Sequence, residues 1–228
     1  TVGGLVVLSV VLVHVHAEET ERSDVERAAI ANVKELGGHV MEIAQDDPRL
    51  EVSYHLTDGP VTDAHLEPLK ELRALVHLNL RGTSITDEGL KNLSGLTSLT
   101  RLHLEKTKIT DAGLAHLAGL ENLEYLNVYG TEVTDAGIQQ AASLKNLKKL
   151  YIWESKVTIE GVRQLKEAAP SIAVIPDLVL EQKKAEEEAA RMKAEEEARA
   201  KAEAEAKQQA EEAQKAAEAE QKNAEAAK

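Results

Sequence analysis

The sequence repeats itself every 24 residues. Two copies lie end to end: ITDEGLKNLSGLTSLTRLHLEKTK from Ile85 to Lys108, and ITDAGLAHLAGLENLEYLNVYGTE from Ile109 to Glu132. Units in the same phase begin at Val61, Ile85, Ile109, Val133 and Val157. Leu75, Leu78 and Leu80 recur as Leu99, Leu102 and Leu104, as Leu123, Leu126 and Val128, and as Leu147, Leu150 and Ile152. Three residues after each triplet stands Thr83, Thr107, Thr131 or Ser155. A fixed period of this length is the signature of a solenoid, in which no single copy can bury its apolar face and stacking builds one continuous core.

The chemistry of one unit is legible from its spacing. The two apolar residues of L-x-L lie on one side of a strand and face inward. Thr62, Thr86, Thr110, Thr134 and Thr158 occupy helix N-cap positions. Asp63, Asp87, Asp111 and Asp135 follow, where negative charge suits the first turn of a helix. Leu90, Leu93 and Leu96, three apart, return to the core on the helical side. Gly89, Gly113, Gly137 and Gly161 are expected to let each short helix lie close to its neighbour.

The pattern L-x-x-L-x-L-x-x-T-x-I-T-D-x-G-L-x-x-L resembles the leucine-rich repeat family in its bacterial 24-residue form. The resemblance implies an α/β solenoid: a horseshoe with a concave parallel sheet and short convex helices. It also implies contact with other proteins as the common use of such an array. Three positions depart from the pattern. Pro60 precedes the first unit, His65 stands where other units have Gly, and Ile159 replaces the Asp of the last unit.

Segments of different character flank the array, which is expected over residues 61–180. Residues 1–17 hold an apolar run, Val2 to Val15, followed by Val15-His16-Ala17 and an acidic stretch. A run of fourteen residues is short for a membrane span and fits the hydrophobic part of a secretory signal, so a signal peptide or a membrane anchor is expected. Residues 18–60 are expected to cap the array with a helix and two strands. SDVE at Ser23–Glu26 has the form of a capping box, Ala28, Ile30, Val33 and Leu36 form an apolar face, Gly37-Gly38 stops the helix, and DDPR turns between HVMEIA and LEVSYHL. Residues 181–228 are almost entirely Ala, Glu, Lys, Gln and Arg, with Glu-to-base pairs four apart such as Glu187–Arg191, Glu195–Arg199 and Glu203–Lys207. This composition predicts one long, solvated helix rather than a coiled coil, because apolar a and d positions are missing.

Charge and composition exclude several functions. Forty acids against 27 bases give a formal net charge of -13, which disfavours nucleic acid and anionic lipid. Contact with a membrane is expected only through the N-terminal segment. The chain has no Cys, hence no disulfide, thiolate nucleophile or Cys-bound metal. Phosphate loops, nucleophile elbows and H-E-x-x-H helices are missing from the sequence. A non-enzymatic protein with no cofactor is expected, and a monomer.

The strand positions between the leucines point away from the core and stack into columns. A constant period places Ser53, His77, Arg101, Tyr125 and Lys149 in one column, His55, Asn79, His103, Asn127 and Tyr151 in the next, and Thr57, Arg81, Glu105, Tyr129 and Trp153 in the third. The chain has four Tyr and one Trp, and all but Tyr54 fall on this face in the last two full repeats. Tyr54 is expected in the core. Exposed aromatics with flanking bases dominate binding hot spots. Tyr125, Tyr129, Lys149, Tyr151 and Trp153, with Arg101 and His103 beside them, therefore form the candidate partner site for a protein, a peptide or, alternatively, a glycan. The competing expectation is an exported, structural spacer of the cell envelope, periplasmic or extracellular, with the charged helix as its stalk. His77, His103 and Glu105 invite a metal site, but side chains diverging from a sheet converge poorly on one ion, so no metal is expected. Arg81 and Glu105 are placed to pair.

Overall fold

The computed structural model describes residues 22–226. They divide into two compact units, one ending at Ile175 and one beginning at Pro176.

The first unit opens with helix α1 (Asp24–Glu35). The Ser23 hydroxyl accepts the Glu26 amide at 3.1 Å and caps it. Ala29 and Val33 are its buried residues, with Ile30 and Leu36 half-buried; the expected Ala28 is exposed, so the apolar stripe sits one residue further along. Gly37, at φ +82°, ends the helix, and the Gly38 amide reaches back to the Val33 carbonyl at 2.8 Å. Strands β1 (His39–Glu42) and β2 (Leu50–Ser53) then pair antiparallel.

From β2 onward every neighbour is parallel. The strands are β3 (Leu75–Asn79), β4 (Arg101–His103), β5 (Tyr125–Asn127), β6 (Lys149–Tyr151) and β7 (Ala173–Ile175), and the seven-stranded sheet keeps sequence order. On the other side run a 3-10 helix (Asp63–Glu71) and helices α2 (Asp87–Leu90), α3 (Asp111–Ala115), α4 (Asp135–Gln140) and α5 (Ile159–Ala168). The inward leucines of the strands and Leu90, Leu93 and Leu96 of the helical side are all buried between these layers. Parallel sheets are usually covered on both faces. Here only one face meets helices, which is why the sequence alternates Leu with polar or aromatic residues.

A hydroxyl ladder closes each turn after the strand. The Oγ atoms of Thr83, Thr107, Thr131 and Ser155 donate to the carbonyls of Leu80, Leu104, Val128 and Ile152 at 2.6–2.7 Å. The residue just before each hydroxyl is left-handed: Gly82, Lys106, Gly130 and Glu154, at φ +72°, +54°, +64° and +52°. Lys106 and Glu154 hold this conformation without glycine's freedom, at a cost of about 1 kcal/mol each.

A second ladder stitches the units together. Asp63 Oδ1 accepts the Thr86 amide at 2.8 Å and its Oδ2 accepts the Thr86 hydroxyl at 2.7 Å. Asp87 holds Thr110, Asp111 holds Thr134 and Asp135 holds Thr158 in the same way, all at 2.6–2.8 Å. The aspartates thus serve the next unit as well as the dipole of their own helix. The glycines make room for these carboxylates: a Cβ on Gly89, Gly113, Gly137 or Gly161 would collide with the Oδ1 of Asp63, Asp87, Asp111 or Asp135. Both end departures follow. No unit precedes the first, so His65 has no carboxylate to accommodate. No unit follows the last, so Ile159 has no Thr to hold.

The second unit is helix α6 (Leu178–Ala226), 49 residues or about 75 Å at 1.5 Å per residue. Asp177 Oδ1 accepts the Leu180 amide at 3.1 Å at its start. Among its described side chains the ion pairs run base-to-acid, Lys183–Glu187, Lys193–Glu197, Arg199–Glu203 and Lys201–Glu205, rather than the acid-to-base direction expected. Arg199 and Lys201 have an acid four residues away on either side, so both directions belong to one alternating ladder. Among the described residues no helix is long and apolar enough to cross a membrane. The expected signal or anchor at 1–17 lies outside the described residues.

Candidate functional site

Sheet register sets the outward columns. Along β3–β6 the first column is His77, Arg101, Tyr125 and Lys149, and the second is Asn79, His103, Asn127 and Tyr151. These match the columns expected from the 24-residue period. At β2 the expectation fails: Glu51, not Ser53, pairs with His77, and Ser53 pairs with Asn79. The cap strand is already one residue out of period at Leu50, which pairs with Leu75, and a register irregularity between Leu50 and Glu51 adds a second.

The third column remains tied to the sheet although it lies past the short strands. The amides of Gly82, Lys106 and Gly130 donate to the carbonyls of Glu105, Tyr129 and Trp153 at 2.7–2.9 Å. Tyr129 and Trp153 are therefore held on hydrogen-bonded backbone.

Three rings form a continuous diagonal stack. His103 and Tyr125 have centroids 4.8 Å apart and Tyr125 and Tyr151 5.0 Å apart, tilted by 36° and 39°. Tyr129 lies beneath the Lys106 ammonium, 5.4 Å from its ring centroid. Trp153 is the most open ring, 54% exposed, and the Tyr side chains are half-buried. Burial pushes the Tyr125 phenol pKa above its ordinary value; Asn127 pulls it down, Glu105 and Tyr151 raise it, and Arg101 lowers it.

A polar cluster supports the stack. Glu105 is only 7% exposed. Its Oε1 takes the His103 Nδ1 at 2.8 Å and the Asn127 Nδ2 at 2.7 Å, while Oε2 is buried without a hydrogen-bond partner. Asn127 also donates to the Tyr125 hydroxyl at 3.3 Å and accepts the Tyr129 amide at 3.0 Å. Glu105 therefore pairs within its own half of the sheet, and the expected Arg81–Glu105 pair is replaced by these shorter-reach partners.

The sequence-derived site residues fall into two sets. His103, Tyr125 and Tyr151 touch one another, whereas Trp153 stands outside the ring stack. Arg101 and Lys149 are exposed on either side of Tyr125 in its own column. Sequence reasoning missed Lys106 and Asn127. Lys106 falls in the turn, and only its left-handed backbone brings its side chain over Tyr129; its alignment with Gly82 and Gly130 was the available signal. His77, offered for a metal, turns to Glu51 at 3.5 Å, while His103 turns to Glu105.

Residues 72–94 and 95–118 match the family model for the leucine-rich repeat. By that match these two stretches are consecutive leucine-rich repeats, and leucine-rich repeats are in general protein-binding modules. No curated protein matches the chain at a significant level. Similar solved structures include internalin C2 of Listeria monocytogenes, with 28% identity over 48% of this chain and 44% of that one, TM-score 0.39. A leucine-rich repeat protein of Leptospira interrogans has 19% identity over 47% of this chain and 33% of that one, TM-score 0.35. A second Listeria monocytogenes internalin, inlF, has 19% identity over 67% of this chain and 55% of that one, TM-score 0.28. This chain thus spans between a third and just over half of the length of those structures.

Proposed function

We propose that this chain is an exported, non-enzymatic binding module that holds a protein or peptide on the outward face of β4–β6. The observation that carries this reading is the concentration of rings there: His103, Tyr125 and Tyr151 in one stack, with Tyr129 and a half-exposed Trp153 alongside. Apolar ring surface left open to water is a standing free-energy cost, which a partner covering it removes. Arg101, Lys149 and His103 supply the polar edge. A glycan stacking on the same rings is the alternative ligand class. Export rests on the apolar run from Val2 to Val15.

The test is capture of partners from extracts of the producing cells by wild-type protein and by a Tyr125→Ala/Tyr151→Ala/Trp153→Ala variant of unchanged helicity. The reading expects the variant to lose its partners by at least about tenfold. An identical capture profile would remove it. A second reading, a spacer of the cell envelope, is favoured by α6, whose side chains are exposed throughout 181–210. It predicts that deleting 181–228, and not the ring substitutions, abolishes the biological effect.

A further inference from the structure

The sheet face is basic in a chain that is acidic overall. Across the outward positions of β3–β6 and their third column stand Arg81, Arg101 and Lys149 against one carboxylate, Glu105. That carboxylate is buried and engaged by His103 and Asn127. Lys106 adds a further cation from its turn, and Glu154 adds a carboxylate from the turn two repeats on. The chain as a whole carries -13.

Bases just off the face are neutralised from within the array. Lys148 pairs with Glu124 at 2.7 Å, and Lys156 pairs with Glu132. In both cases the acid lies one repeat earlier. On the face, the residue one repeat before Arg101 is His77, and the one before Lys149 is Tyr125. Neither can supply a carboxylate. Arg81, Arg101 and Lys149 are exposed and have no ion pair among the described residues. Lys108 and Lys145, off the face, also lack ion pairs, but they do not flank a ring. Among the described residues, unpaired cations meet aromatic surface on this face and at its rim, where Lys106 lies over Tyr129.

Their spacing is informative. Arg101, Tyr125 and Lys149 are laterally aligned on adjacent strands. The two cations are thus two strand spacings apart, about 10 Å, with the Tyr125 ring between them. A segment in the extended polyproline II conformation rises about 3.1 Å per residue with three residues per turn, so acids three positions apart share one side about 9 Å apart and reach both. An intervening apolar or aromatic side chain meets the rings. A guanidinium and an ammonium bind carboxylates strongly once water is displaced.

We infer that the partner segment is an extended acidic polypeptide whose carboxylates seat on Arg101 and Lys149 on either side of Tyr125. This rests on the ring face being the binding surface. It adds the chemistry of what is bound, and it assigns Arg101 and Lys149 to specificity and the rings to affinity. Opposite potentials across an interface chiefly govern partner choice and association rate.

The test uses the full chain and fluorescently labelled copolymers as probes, read by anisotropy. Poly(Glu,Tyr) is expected to bind, poly(Lys,Tyr) to bind at least about tenfold more weakly, and binding of the first to weaken as salt rises from about 0.05 M to about 0.5 M. Arg101→Glu/Lys149→Glu, both exposed positions, is expected to keep the wild-type unfolding midpoint and lose at least about tenfold in affinity for poly(Glu,Tyr). Tyr151→Ala/Trp153→Ala is expected to weaken both polymers. If the ring variant weakens binding and the charge reversal does not, the acidic specificity falls while the ring face stands. If neither variant alters binding of poly(Glu,Tyr), or poly(Glu,Tyr) does not bind, the acidic inference falls, and the ring face stands or falls on the capture comparison with the ring variant. If alginate displaces poly(Glu,Tyr) at equal carboxylate concentration, the face recognises anionic polymers generally and the polypeptide assignment is overturned.

Discussion

Gly113→Ala should change sign with its background. In the wild type the new Cβ would collide with Asp87 Oδ1, which accepts the Thr110 amide at 2.8 Å and shares a carboxylate with the Oδ2 that accepts the Thr110 hydroxyl at 2.7 Å. Moving the carboxylate weakens both bonds. A hydrogen bond to a charged group contributes about 1.5–3 kcal/mol, and the lower end applies here because Thr110 is exposed and water replaces part of the loss. Loss of the pair therefore costs about 2–3 kcal/mol. Ala gains about 1 kcal/mol over Gly in a helix interior, and Gly113 lies within α3. The net is a destabilisation of about 1–2 kcal/mol from the sum of those terms. In an Asp87→Ala background the carboxylate is gone. The remaining close neighbour of the Cβ is Leu90 Cδ1 at 3.1 Å, the end of a flexible side chain. There Gly113→Ala should stabilise by up to about 1 kcal/mol. The double-mutant cycle should return a coupling of about 2 kcal/mol or more. Urea unfolding followed by Trp153, the only Trp in the chain, measures it. A Gly113→Ala effect of the same sign and size in both backgrounds would refute the view that the glycine exists to seat the aspartate.

Two further predictions concern single positions. Glu154→Gly should stabilise the array by about 1 kcal/mol by relieving a left-handed backbone, and Gly82→Ala, where a Cβ meets nothing within 4 Å, should cost about the same through φ alone; urea midpoints that move together would contradict this. Burial raises the Tyr54 pKa to about 12 from 10.0, and its hydroxyl donates to the His65 carbonyl at 2.9 Å. The folded chain then holds that proton more tightly than the unfolded one. Its contribution is complete below pH 10 and falls by about 2–3 kcal/mol as pH rises through about 12. Tyr54→Phe should flatten that alkaline decline, and an unchanged pH slope in denaturant unfolding would contradict it.

The sequence is legible where one interaction repeats. Leu78, Leu102, Leu126 and Leu150 each face the same neighbours, so period alone places them, and it places Tyr125 and Lys149 in one column for the same reason. Period misleads at β2, because the cap strand is not a repeat copy and its irregularity at Leu50/Glu51 has no counterpart elsewhere. The Asp–Thr–Gly arrangement was hidden differently. Each residue has a sufficient local explanation within its own helix, and the contact that matters runs from one unit to the next. Its trace was present in the two exceptions, His65 at the first unit and Ile159 at the last. Glu105 was unreadable for a third reason: an outward strand position is exposed by pattern, and here His103 and Asn127 draw it into the polar cluster and bury it.

The central claim is that a partner lies on the outward face of β4–β6. Replacing Trp153 with a photo-crosslinking benzoylphenylalanine, and His116 on the helical side with the same residue in a second variant, tests it most directly. Irradiation in extracts of the producing cells should yield a discrete polypeptide adduct from position 153 and none from position 116. Adducts from position 116 with none from position 153 would contradict the claim.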